Sequence, residues 1–392
     1  MNFRQHVLLL AFLILLVFGM SATIVGPCVT SLEETFGVGH GAVGAMFAAG
    51  SIGYLIGVRI GGRLARPLGH WWTLWAGTAS LGASLLLFGV SPFWPLPIAA
   101  HFLCGVGGGV VEPVLVSAIQ VLYEEKRRAA LNLSQVGFGL GAITGPFIVK
   151  FILGARWNWR LAFVFTGAAT LGTLALFPRQ PIPSGETAAA PRERARAYAR
   201  NPVLWLMFLV LIFYVGGELG LTSWSSAYFE KTRGATKAQA SLAPLFLWLG
   251  LLGGRTAMWF IGERHTSRRI LFLCSGFSIV FSSAALLSAR IETSYLLLMF
   301  AGLGLGPIWP TVLDHSAGRL KTTSPAVLSF IMLGGGVGAL SQAALGPIAA
   351  TWSLPAALAV AVALLVGVMV LLLADWLIER QNGMAPEEPR SR

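Results

Sequence analysis

Residues 104–116, CGVGGGVVEPVLV, lie over residues 301–313, AGLGLGPIWPTVL, without a gap and at an offset of 197 positions. GFGLGAI (137–143) falls on GGGVGAL (334–340) at the same offset, as do Gly57 on Gly254 and Leu74 on Leu271. Matches in three places at one offset make the chain two copies of one unit. Each copy of the longest match carries a proline inside an apolar run, which removes one helical hydrogen bond and bends the helix.

Composition says what the unit is made of. The 392 residues are 55% hydrophobic and 11% charged, with a mean hydropathy of +0.73. Soluble chains carry about 25% charged residues, so most of this one cannot face water. Apolar runs of about 20 residues recur, each long enough to cross ~30 Å of hydrocarbon. They are continuous rather than alternating, which argues against a β-barrel. The expected fold is an all-α integral membrane protein of twelve helices in two pseudo-symmetric six-helix halves. The predicted spans are 7–29, 40–61, 71–91, 95–121, 131–153, 160–177, 203–229, 238–261, 269–289, 293–315, 326–349 and 353–378. Residues 1–178 then form the first bundle and 203–378 the second. The Pro-, Ala- and Arg-rich stretch 179–202 is read as a cytoplasmic linker and 379–392 as a disordered tail. The opening MNFRQHVLLLAFLILLVFGMSATI has the look of a signal peptide. Its length and its counterpart in the second half favour a retained first helix.

A net charge of +12 could point to nucleic acid, but the basic residues stand in short clusters between spans. Of 28 Lys and Arg, 21 fall at the termini and in the loops on their side. That bias predicts cytoplasmic termini in a cell inner (plasma) membrane. No nucleic-acid partner is expected. Cys28, Cys104 and Cys274 lie in or at the ends of apolar runs, with no metal spacing. Neither a cofactor nor a metal is expected. Glycine runs such as GVGGG lie inside spans, not after a strand, so they are not dinucleotide loops. No nucleophile constellation marks an enzyme.

Of 16 acidic residues, only Glu112 and Glu218 fall deep within spans. A charged acid at mid-bilayer costs about 2.5–3.5 kcal/mol on insertion scales. It persists by facing water, by pairing with a base or by staying protonated. No Lys or Arg lies equally deep; Arg255 is the nearest, toward the cytoplasmic side of the eighth span. Burial without a cation favours the neutral acid, which suits a group that takes up and releases a proton. The bland alternative is a protonated glutamate that bonds a neighbouring helix across small residues. The 197-residue offset sets Trp309 on Glu112 and Glu218 on Ser21. Trp224 and Trp309 could stack on the apolar face of a solute or serve as packing. Asn132, Gln135 and Gln342 could read hydroxyls or bridge helices, and Asn132 and Gln135 stand near the cytoplasmic entry of the fifth span, where a gate role is equally open.

The two-fold six-helix layout and the central basic linker resemble the major facilitator superfamily over essentially the whole chain. GRTAMWFIGERHTSRRIL (254–271) looks like that family's cytoplasmic loop signature, with Glu263 and Arg264 in its acid–Arg places. The first-half copy, GGRLARPLGHWWTL (61–74), has Arg66 where the acid belongs, beside Arg63. In the family this loop latches the halves in one state; the alternative is that these arginines only set topology. GVGGGVVEPVL, RAALNLSQVGFGLGAI and YVGGELGLTSWSSAYF resemble the fucose–proton symporter branch more closely. That branch has an acid in helix one, which GMSATIVGPCVTS lacks. The family's helices one, four, seven and ten line a central cavity, which would receive Glu112 and Glu218. The resemblance implies a monomer in the lipid bilayer that works by alternating access on a small-molecule substrate and protons. Symport of a small neutral solute such as a sugar is expected. Proton-antiport efflux of hydrophobic compounds, drugs or lipids is the alternative.

Overall fold

The computed structural model describes residues 2–123, 127–178, 200–261, 265–320 and 325–381. The stretch 179–199, with Glu263, Arg264 and the tail from 382, lies outside them. Twelve passes follow in order. α1 runs Phe3–Thr23, breaks in a 3₁₀ turn at Gly26–Cys28 where Pro27 has no N–H to give, and resumes as Val29–Phe36. His40–Gly89 is interrupted at Gly69; its arms 40–68 and 70–89 are α2 and α3. The others are α4 Pro95–Leu122, α5 Arg127–Gly154, α6 Arg160–Thr173, α7 Pro202–Arg233, α8 Leu242–Ile261, α9 Ser267–Leu287 and α10 Ile291–Arg319. α11 comes in two pieces, Pro325–Gly338 and Ser341–Thr351, and α12 is Leu354–Gln381. Among the described residues nine stretches are long and apolar enough to cross a membrane by length and composition. Leu287, Val280 and Phe151 are among the large apolar side chains left on the outer surface, where lipid replaces water as the neighbour.

Gly69 shows how the sequence sets the path. Its φ is +76°, open to glycine and costly for other residues. The arms on either side return along α4, so that Gly61 and Gly77 both pack against Val110.

The repeat reappears as packing. Gly53 and Gly57 of α2 meet the carbonyls of Phe102 and Val106 on α4, and Gly105 and Gly109 meet those of Gly50 and Tyr54. In the second half Gly250 and Gly254 of α8 meet Met299 and Leu303, and Gly302 and Gly306 meet Leu247 and Leu251. All eight positions correspond at 197. Small residues at these crossings let the backbones approach without a side chain between them. α1 and α7 differ by one step. Gly137 and Gly141 of α5 meet Phe12 and Leu16, whereas Gly334 and Gly338 of α11 meet Phe208 and Ile212. By packing, Phe12 corresponds to Phe208, an offset of 196. Ser21 therefore stands over Gly217, and the place of Glu218 belongs to Ala22. The expected Ser21–Glu218 match shifts because the two copies differ by one residue between these helices and the next.

The chain ends of each half share one face. His6 Nε2 lies 2.7 Å from the Leu176 carbonyl, and Ser267 Oγ donates to Asp314 Oδ2 at 2.6 Å. On the opposite face the halves close on each other. Thr30 Oγ1 donates to Glu230 Oε2 at 2.5 Å, and Glu34 pairs with Lys237 and Lys231. Deeper in, Ser51 Oγ donates to the Ala339 carbonyl at 3.1 Å, one of the carbonyls beside the break in α11. Ser341 Oγ, just past that break, donates to the Gly216 carbonyl at 3.1 Å.

Gly44 and Gly346 set how tightly this face shuts. A Cβ on Gly44 would stand 2.8 Å from the Ala343 oxygen and 2.9 Å from Gly346 Cα. Gly44→Val should therefore cost the closed arrangement about 1–3 kcal/mol through overpacking, a shift of roughly 5- to 150-fold between states. Thiol labelling of a cysteine placed at Ser223, buried under Gly26 of the other half, should accelerate in that variant; an unchanged rate would show that the contact yields without opening.

Candidate functional site

Glu112 sits on α4 just before Pro113, in the groove that Gly109 opens against α2. That approach brings Tyr54 to it, and the Tyr54 hydroxyl donates to Glu112 Oε2 at 2.6 Å. Glu112 is half-buried. Glu218 is buried on α7, one turn after Tyr214. Its Oε2 and the Tyr214 hydroxyl are both enclosed without a hydrogen-bond partner. Around it Gly216 and Gly217 pack against Ser341 of α11 and against Leu364, Leu365 and Ala361 of α12.

Arg255 of α8 is the base nearest these acids in the sequence. Its Nε donates to the Gly306 carbonyl of α10 at 3.4 Å, which anchors the side chain beside the middle of the bundle. Counting along the backbone places the Arg255 Cα toward the termini face. It leaves out the reach of a long side chain, which can set its head well away from its stem.

Trp309, on the second-half copy of the Glu112 position, joins this group. Its ring is 6.4 Å from that of Tyr214 and packs against Gly335. Trp309, Tyr214 and Glu218 thus come together with Tyr54 and Glu112 of the other half at the adjacent glycines Gly335 and Gly336 of α11, which Trp309 and Tyr54 approach; the two tyrosines were not singled out in the sequence. Tyr214 had a signal, its i−4 spacing from Glu218. Tyr54 had none until the α2–α4 crossing was known.

The other expected residues lie elsewhere. Trp224 is fully buried in the closed face, its indole N–H donating to the Gln342 carbonyl at 3.2 Å, with its ring against His40 and Phe47. Gln342 Oε1 accepts from Ser223 Oγ at 2.5 Å, and its amide donates to the Ala339 carbonyl at 3.2 Å. Both belong to the wall that separates the acids from the opposite face. Ser21 donates to the Phe18 carbonyl at 2.7 Å within its own helix. Gln135 is half-buried one turn before Gly139, the residue that packs on Leu252 of α8. Arg63 is exposed. The side chains of Asn132 and Arg66, and all of Glu263 and Arg264, lie outside the described residues.

Two acids and two phenols can bind a proton and offer several hydrogen bonds to a polar solute. The Tyr54 bond is open to test. A hydrogen bond to a charged group contributes about 1.5–3 kcal/mol, so Tyr54→Phe should slow proton-driven uptake about ten-fold or more. Initial rates in proteoliposomes would show this, and a wild-type rate would mean that the bond is idle.

A second cluster was missed altogether. At the termini face of the second half, Asp375 of α12 lies 2.8 Å from His315 Nε2 and 3.0 Å from Arg319 Nη2. Glu379 is 3.8 Å from Arg319 and pairs with Arg268 of α9. Asp375 and His315 are almost wholly buried. These side chains tie α9, α10 and α12 together.

Comparison with known proteins agrees with this architecture. Residues 11–318 match the model of the Major Facilitator Superfamily. Protein TsgA of Salmonella arizonae is 24% identical over 289 residues, which covers 72% of each chain. The TsgA homolog of Yersinia enterocolitica is 24% identical over 309 residues, 77% of this chain and 76% of that one. Among solved structures, the D-xylose-proton symporter superposes with a TM-score of 0.76 at 15% identity, covering 96% of this chain and 98% of its own. A bacterial homologue of the human lysosomal transporter Spinster, inward-facing and occupied, superposes at 0.77 and 16% identity over 99% and 100%. With twelve helices in two repeated halves and a family match over most of its length, the chain is a membrane transporter, not an enzyme, and belongs to the Major Facilitator Superfamily.

Proposed function

We propose that this transporter couples a proton to the symport of a small neutral organic solute such as a sugar, by alternating access between its two halves. One observation carries this reading: each half sets one acid deep in its bundle, Glu112 held by the Tyr54 hydroxyl at 2.6 Å and Glu218 buried on α7 one turn after Tyr214. Ionised, either acid would be a negative charge in a low-dielectric interior, and burying such a charge is costly. A proton removes it. Tyr54, Tyr214 and Trp309 supply hydroxyls and an aromatic face of the kind that suits a polyhydroxylated ring. The likeness of three stretches to fucose–proton symporters and the fold shared with a xylose–proton symporter support the same class.

In this reading the two bundles, 1–178 and 203–378, rock about the linker 179–202. The protein acts as a monomer in the inner (plasma) membrane, with both termini cytoplasmic as the Lys and Arg bias requires. The termini face is then the inner face, and the contacts between Glu34 and the lysines close the outer one.

One observation favours proton-antiport efflux of hydrophobic compounds instead. Gln342 and Trp224, the expected polar contacts of a sugar, are satisfied by protein partners in the closed wall. An uptake assay decides between the two readings. Proteoliposomes are offered a panel of sugars and of lipophilic cations and drugs, with and without an inward proton gradient. Symport requires that the gradient raise accumulation of a sugar. Gradient-driven expulsion of an apolar compound would replace this function with the second.

A further inference from the structure

We infer that the corner between α5 and α6, on the face opposite the termini, binds an anionic phospholipid. One acyl chain lies in the apolar groove there, and Lys150 and Arg156 hold the phosphate. The inference depends neither on the solute nor on proton coupling.

The groove is built by the way α5 ends. The Arg156 N–H donates to the Leu153 carbonyl at 3.1 Å and the Trp157 N–H to the Ile152 carbonyl at 2.9 Å. This closure turns a chain off a helix through one left-handed residue. It folds Trp157 back over Phe151, with ring centroids 6.2 Å apart. Phe147, Ile148, Phe151, Ile152 and Trp157 then face Phe165 of α6 across a groove of about 340 Å³. That volume is at the lower end for small-molecule sites, room for part of a chain rather than for a whole lipid. The four aromatic residues are each more than half exposed. On a surface that meets hydrocarbon, acyl chain fills such a groove, and the charge beside it says which lipid.

The left-handed position is where the sequence departs from what the turn needs. Glycine is the usual occupant. Here it is Arg156, at φ +58°, the one non-glycine residue with a positive φ among the described residues. A side chain is unfavourable in that conformation, and the turn makes no use of this one. Arg156 is exposed, and no hydrogen bond or ion pair engages its guanidinium among the described residues. Lys150, one turn before the end of α5, is in the same position. Its ammonium stands 6.0 Å from the centre of the Phe147 ring, at the wall of the groove.

Other charges on this face are engaged. Lys231 and Lys237 pair with Glu34, Arg160 donates to the Ser91 carbonyl at 2.7 Å, and Arg233 donates to those of Leu286 and Ser288. Glu33 pairs with His40, and Glu230 accepts from Thr30, so these acids do not answer Lys150 or Arg156.

The repeat separates what the fold requires from what is particular to this corner. The matching turn of the second half, from α11 to α12, also sets a tryptophan outside, Trp352, 78% exposed. It has no cation, since no Lys or Arg occurs between Lys321 and Arg380. A tryptophan at this level goes with the membrane interface. Lys150 and Arg156 belong to the first-half corner alone. Two unengaged cations beside an apolar groove match a lipid with a negative headgroup, because each Lys or Arg near a membrane surface adds attraction for anionic lipid.

The test uses the full chain in nanodiscs of phosphatidylcholine with a trace of photoreactive lipid, its diazirine on one acyl chain. Phosphatidylglycerol and phosphatidylcholine probes with the same chains are compared, and the labelled positions are mapped by peptide mass spectrometry. The attraction amounts to about five-fold for each cation and about 25-fold for both. Peptides from 147–165 should therefore favour the phosphatidylglycerol probe by about 25-fold, while those around Trp352 take both probes alike. Lys150→Gln and Arg156→Gly should each lower the preference about five-fold, and the double variant should remove it. Arg156→Gly also reads folding apart from binding: glycine suits the left-handed position, so its thermal stability should hold or rise as the preference falls. A groove that takes both probes alike, or neither, overturns the inference. So does a preference that survives in the double variant, because the attraction would then come from other residues.

Discussion

Glu112→Gln should abolish uphill uptake while leaving the exchange of solute across the membrane intact. Glutamine has nearly the shape of the protonated acid and can still accept from Tyr54, whose hydroxyl stands 2.6 Å from Glu112 Oε2. What it cannot do is ionise. A carrier with a permanently neutral group there still binds solute and moves in its loaded form, so counterflow continues. It cannot release a proton, so the pH gradient no longer acts on it. One pH unit corresponds to about 1.4 kcal/mol, so a gradient of two units lets a one-proton symporter concentrate solute up to about 100-fold. In the variant the accumulation ratio should fall to one. The decisive measurement is radiolabelled uptake with and without the gradient, beside counterflow in preloaded vesicles. If Glu112→Gln still concentrates solute in response to the gradient, Glu112 is not the proton carrier.

The second large effect is on stability. Asp375→Ala should destabilise the second half by about 3–5 kcal/mol, the range for removing one partner of a buried ion pair. Asp375 accepts from Arg319 at 3.0 and 3.2 Å and lies 2.8 Å from His315 Nε2. Without it, two groups on α10 lose the acid they share, in a site closed to water. Glu379 remains 3.8 Å from Arg319, which places the loss toward the lower end of the range. Asp375→Asn keeps the shape and two hydrogen-bonding atoms, and should lose less. Thermal unfolding in detergent, followed by tryptophan fluorescence, reads both variants. An Asp375→Ala protein as stable as wild type would mean that water or lipid headgroups reach Arg319 and replace the acid.

Much of the fold was legible because lipid imposes one rule on every span. Backbone groups in hydrocarbon must bond within their own segment, so a long apolar run reads as a helix. The repeat then organises twelve such runs into two sixes. Departures arose where side chains took over that backbone duty. α11 breaks between Gly338 and Ser341, where Ser51 and Ser341 serve carbonyls, and α1 breaks at Pro27. Neither serine is distinguishable by composition from the many that bond back within their own helix, such as Ser278 to the Cys274 carbonyl.

The site was legible in its acids and not in its partners. Glu112 and Glu218 stand out because a carboxylate in an apolar run is rare and costly. Tyr54 does not, since a tyrosine inside an apolar run reads as packing until its neighbour across the helix crossing is known. Trp224 and Gln342 looked like solute contacts by type, and the structure sets them in the closed wall. The buried group of Asp375, His315, Arg319, Glu379 and Arg268 escaped because each member lies near the end of a span, where charge is expected.

The sequence by itself determined the helical membrane fold, the twofold repeat and the two acids, because periodicity, apolar length and the cost of buried charge are properties of a chain read in one dimension. The tertiary structure decided that Glu112 holds Tyr54, that Tyr214 meets Trp309 and that Ser21 does not match Glu218. Those facts depend on which helix crosses which and at what register, and on the reach of side chains across a gap. A single residue of difference between two copies, too small to see in an apolar alignment, is enough to turn a helix by about 100° and change the neighbour.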